Sequence, residues 1–94
     1  MQKNKTNLTK DSNLTFEGTN NEVWYYDEAH LKAYTDSLET KRRLTKVAGS
    51  LISSRYYDSK TKKVSWDFLI PNKRLNTVMR ILSNAHKKEV SGQK

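Results

Sequence analysis

Val64-Ser65-Trp66-Asp67-Phe68-Leu69-Ile70 is the stretch on which the fold turns. Val64, Trp66, Phe68 and Ile70 alternate with Ser65, Asp67 and Leu69, a period of two that sends four large apolar side chains to one face of an extended strand. Just upstream, Leu51-Ile52-Ser53-Ser54-Arg55-Tyr56-Tyr57 is a second run rich in β-branched and aromatic residues. Asp58-Ser59-Lys60-Thr61-Lys62-Lys63 separates the two runs and is polar throughout. Two such runs joined by a polar, turn-forming segment predict an antiparallel hairpin with a long basic tip.

Downstream stands the chain's single proline, Pro71. Proline suits the entry of a helix, where its missing N–H has no intrahelical partner to lose. Leu75, Val78, Met79, Leu82 and Ala85 then follow helical spacing and predict one buried face of a helix over 72–86. Lys73, Thr77, Arg80, Asn84 and Lys87 form the opposite stripe.

Upstream of the hairpin, a helix is expected over 37–48. Asp36 is a candidate cap, Glu39 would complete a capping box, and Gly49 stands where a left-handed residue would end the helix. Leu38, Leu44, Val47, Ala48 and Leu51 carry its apolar spacing, and Glu39 and Arg43 are spaced as a favourable ion pair.

Residues 22–35 admit two readings. Val23-Trp24-Tyr25-Tyr26 is strand-like and Leu31-Lys32-Ala33-Tyr34-Thr35 alternates, which gives a second hairpin turning at Asp27-Glu28-Ala29-His30. Leu31, Tyr34 and Leu38 also fit one long helix from Glu28 to Lys46. The hairpin is preferred because Thr35-Asp36-Ser37 suits a cap better than a helix interior.

The expected fold is therefore α+β: a small antiparallel sheet of two hairpins with two helices packed on one face, in the order ββαββα, or αββα if the first helix is long. The two halves are alike in pattern but show no obvious sequence repeat. The expected core is Val23, Leu44, Val47, Ile52, Val64, Trp66, Phe68, Ile70, Leu75, Val78, Met79 and Leu82. Residues 1–20, poor in large apolar groups, are expected to form a flexible arm, 21–88 a single domain and 89–94 a frayed end. Dimerisation would complete so small a core.

Composition narrows the function. The 94 residues carry a net charge of +8, and 34% are apolar. There is no cysteine, which excludes disulfides and thiolate chemistry, and two histidines, His30 and His86, are too few for a histidine-built metal site. No cofactor or metal is expected. No apolar run approaches the roughly 20 residues of a membrane span, and Met1–Lys5 does not open a signal peptide, so a cytoplasmic protein is expected. Asp27-Glu28-Ala29-His30 spells a helicase motif, but without a phosphate-binding Gly-rich loop it is a coincidence. Asp58 and Asp67 are the sole acids of residues 40–88, too few and too separate for a metal-dependent nuclease, so no enzymatic activity is expected. Lys and Arg neighbours are the expected partners of Asp67. The wealth of Lys, Asn, Thr and Ser suggests AT-rich coding, as in a phage or mobile element.

The charge is uneven. Residues 1–39 hold four Lys or Arg against seven Asp or Glu, whereas residues 40–88 hold thirteen against two. Cations confined to the folded half favour a one-sided potential of the kind that phosphate backbones reward. The leading expectation is non-catalytic binding of DNA or RNA through Arg42, Arg43, Lys46, Arg55, Lys60, Lys62, Lys63, Lys73, Arg80 and Lys87, with Tyr56 or Tyr57 stacking on a base. The two tyrosines are adjacent and point to opposite faces, so one is expected in the core and the other beside Arg55. Trp66 and Phe68 are read as core. Four alternatives stand beside this. The basic half can serve solubility alone, and the lysine tip can serve to block edge pairing. The same face can also dock on an acidic protein partner, as in a small inhibitor or adaptor, or a free sheet edge can accept a partner's strand.

Overall fold

In the computed structural model, residues 13–91 are described, with side chains through residue 83. The chain forms β1 (Leu14–Thr15), β2 (Glu22–Tyr25), β3 (His30–Thr35), α1 (Leu38–Thr45), β4 (Leu51–Asp58), β5 (Lys63–Pro71), a 3-10 turn (Asn72–Arg74) and α2 (Leu75–Ser91). The strands make one five-stranded antiparallel sheet in the order β1-β2-β3-β5-β4. The protein is thus α+β, and residues 22–35 are a hairpin.

Each of the two ββα units places its second strand at the centre, where β3 and β5 pair from His30↔Pro71 to Thr35↔Trp66. Period-two alternation then separates two faces. Val23, Leu31, Ala33, Trp66, Phe68 and Ile70 point to the helices and are buried with Leu44, Val47, Val78 and Leu82. The two helices pack on each other over this face. Among the described residues, no helix lies on the opposite face.

The ends of the elements have local causes. Ser37, one residue later than expected, caps α1: its Oγ accepts from the Thr40 amide at 3.2 Å. Asp36 instead accepts from the Asn20 side-chain amide at 2.8 Å. Gly49 has φ +82°, and a Cβ there would lie 2.7 Å from Pro71 Cγ, so glycine is required both by conformation and by the close approach of the end of β5. A tripeptide recurs where the first strand of each unit ends, Tyr25-Tyr26-Asp27 and Tyr56-Tyr57-Asp58. Both aspartates do the same work: Asp27 Oδ1 accepts from the Ala29 amide at 2.8 Å and Asp58 Oδ1 from the Lys60 amide at 2.9 Å.

Three expectations are corrected. Part of the expected arm joins the sheet, since Leu14 pairs with Val23, and Leu14 and Phe16 pack against the core. Residues 1–12 and 92–94 lie outside the described residues, and α2 continues to Ser91, past the expected start of fraying. Ile52, expected in the core, is 47% exposed, since β4 is an edge strand with a neighbour on one side only.

Candidate nucleic-acid interface

The helical layer carries the cations. Across residues 38–50 and 72–83, seven Lys or Arg stand against one acid, Glu39, which pairs with Arg43 at 3.2 Å. Thr40, Leu44 and Val47 turn α1 inward, so Lys41 falls on its flank and Arg42 and Lys46, one turn apart, fall on its outer face, where both are exposed. Val78 and Leu82 fix α2 in the same way and leave Arg80 exposed; Lys73 is exposed on the 3-10 turn. Lys87 lies beyond the residues whose side chains are described.

Beside the helices, the β4–β5 hairpin continues the same side of the sheet. A register shift between Ile52 and Ser54 breaks the strand's alternation, so Ile52, Arg55 and Tyr57 share the helix-side face, opposite Phe68, Trp66 and Val64. Arg55 lies cross-strand from Trp66, and the Lys41 Nζ sits 5.5 Å from the centroid of the Trp66 ring. Helix flank and hairpin are therefore joined through one indole. At the tip, Lys60 and Lys62 are exposed in the turn, whereas Lys63, exposed opposite Asp58, alternates with Val64 onto the helix-free face and so leaves the expected basic surface. Lys62 has φ +64°, and its amide donates to the Asp58 carbonyl at 2.7 Å.

The tyrosines depart from expectation. Neither enters the core, with Tyr56 47% and Tyr57 58% exposed. Tyr57 shares its face with Arg55; Tyr56 points to the helix-free face, where its hydroxyl donates to Asp67 Oδ2 at 2.6 Å. That bond holds the phenolic proton and raises the Tyr56 pKa above the usual tyrosine value. Asp67 has this tyrosine as its partner, and among the described residues it has no Lys or Arg ion pair. The helix-free face also holds Trp24 opposite Lys32, Tyr34 between Glu22 and Asp67, and a shallow hollow of about 620 Å³. Residue-type reading alone could not have assembled this hollow, since it depends on strand order.

Near the β2–β3 turn, Asp27 accepts from the Ala29 amide and contacts His30 Nδ1 at 3.0 Å, which together lower its pKa. Among the described residues there is no group of three or more His, Cys, Asp or Glu side chains placed to hold a metal ion, and no helix long and apolar enough to cross a membrane. Comparison of the chain with protein-family models, with characterised proteins and with solved structures returns no match.

Proposed function

We propose that the protein is a non-catalytic nucleic-acid-binding domain that meets phosphates with its helix side. The observation that carries this reading is the junction at Trp66, where Lys41 of α1 and Arg55 of β4 come together on one face. Arg42 and Lys46 extend that surface over the helices, and Lys60 and Lys62 extend it toward the hairpin tip. Cations held on ordered elements can match a phosphate spacing without paying the ordering cost that a tail would incur. Exposure of Tyr57 on the same strand face as Arg55 supports this tyrosine as the one that would stack on a base.

Binding to single- and double-stranded oligonucleotides across a salt series tests the reading. With about six phosphates neutralised, log K falls against log salt with a slope of about −5 on duplex. Absence of binding near ~50 mM salt, where a phosphate-driven contact is strong, overturns it. The double substitution Lys60→Glu with Lys62→Glu weakens binding to all sequences alike if these lysines position the backbone.

One observation favours a second reading. β4 is eight residues long, lies at the edge of the sheet and carries exposed Leu51, Ile52, Tyr56 and Tyr57, which suits strand addition by a protein partner or a second copy of the chain. Amide exchange in β4 separates the two: strand addition slows the outward amides of β4, and phosphate contact leaves them exchanging.

A further inference from the structure

The helix-free face carries a site of opposite character. Its hollow is walled by Trp24, Tyr34 and Tyr56 and lined also by the acidic residues Glu22 and Asp67, and among the described residues no Lys or Arg lines it. Tyr34 lies in register between these two acids, cross-strand from Glu22 on β2 and from Asp67 on β5. The Tyr34 and Tyr56 rings are 6.4 Å apart and tilted by 51°, and both line the hollow.

Asp67 is the unusual member. It is 6% exposed, in the middle of a sheet, and its hydrogen bond comes from the neutral Tyr56 hydroxyl. That single neutral donor leaves the rest of the carboxylate free to accept from a cationic partner entering the hollow. The candidate within the fold is Lys32, cross-strand from Trp24, but its Nζ sits 4.8 Å over the Tyr26 ring and the residue does not line the hollow. The adjoining hollow adds Asp36 and Asp58 against one cation, Lys63. On a chain of net charge +8, this is a local reversal of sign.

We infer that this hollow binds the cationic end of an arginine or lysine side chain from a basic peptide segment of a partner. Aromatic faces attract a cation through their quadrupoles, and the two carboxylates supply directional, charge-assisted acceptors. The hollow is shallow and open, which suits the tip of an extended side chain better than an enclosed small molecule. This inference does not depend on the nucleic-acid reading, because it uses the other face of the sheet.

The test is NMR titration of the full chain with the capped peptide Gly-Arg-Gly and with its citrulline analogue, which keeps the shape and removes the charge. Saturable shifts at the Trp24 indole and at Tyr34 and Tyr56, with the citrulline peptide about tenfold weaker or more, are expected. Asp67→Asn weakens the arginine peptide by a similar factor. Glu22→Gln, nearer the sheet's edge, gives a smaller loss and serves if Asp67→Asn fails to fold. No saturable shift, equal binding of both peptides, or shifts centred on the helices would each overturn the proposal.

Discussion

The two faces of this sheet are built from the same strands and differ in almost every other respect. On β5, Trp66, Phe68 and Ile70 point one way, and Ser65, Asp67 and Leu69 point the other. The first set is roofed by two helices whose outer surface and flank carry Arg42, Lys46, Arg80 and Lys41. The second set lies on the helix-free face, among Trp24, Tyr34 and Tyr56 of the neighbouring strands and beside the carboxylate of Glu22. A net charge of +8 thus describes neither face. Helix outer positions are solvated whatever they carry, so cations accumulate there at little cost to folding. The sheet's open face must hold large side chains in fixed positions, which suits recognition of shape and sign.

The strongest way to break this contrast is to remove its shared support. Phe68 is fully buried at the centre of the sheet, opposite Ala33. Phe68→Ala is expected to cost about 3–5 kcal/mol, most of the stability of a domain this small. Denaturant unfolding followed separately through Trp24 and through helix ellipticity should still give one transition. Two separated transitions would mean that the faces are independent units.

A finer test separates charge from backbone at the hairpin tip. Lys62 adopts a left-handed conformation that costs a non-glycine residue about 1 kcal/mol. Lys62→Gly should therefore raise stability by up to ~1 kcal/mol while weakening oligonucleotide binding and reducing its salt slope by about one phosphate. If affinity follows stability upward instead, the tip plays no part in the basic surface.

The smallest effect lies on the open face. Because Tyr56 donates to Asp67, its folded-state pKa is raised. The associated stabilisation is complete below the unfolded tyrosine value and is lost as pH rises through the raised folded value. NMR titration should place Tyr56 above an ordinary tyrosine, and Asp67→Asn should return it toward that value without altering oligonucleotide binding. Asp27, with its lowered pKa, acts in the opposite sense: its contribution is present above the unfolded carboxylate value and is lost as pH falls through the lower folded one.

Much of this was legible in the residues. The alternation of Val64 to Ile70, the apolar stripe of Leu75, Val78 and Leu82, and the Glu39–Arg43 pair follow from local periodicity, which sequence records directly. Three features do not follow from periodicity. β1 is two residues long and is held by Leu14 and Phe16 packing on a core formed elsewhere. The irregularity between Ile52 and Ser54 reverses the alternation of β4, so that Arg55 and Tyr57, rather than Ser54 and Tyr56, share the helix side with Ile52. The hollow around Asp67 is drawn from β2, β3, β4 and β5 together, so it exists only once strand order is set. The recurrence of Tyr-Tyr-Asp was present in the sequence, but its meaning rests on the two turn-capping aspartates.

The most direct test of the division between the faces is chemical-shift mapping of the labelled protein with a short duplex at low salt. Shifts at Arg42, Lys46, Arg55, Tyr57 and Lys60 are expected, diminishing as salt is raised, with Trp24 and Tyr34 unmoved. Shifts centred on Trp24, Tyr34 and Tyr56, with the helix side silent, would contradict it.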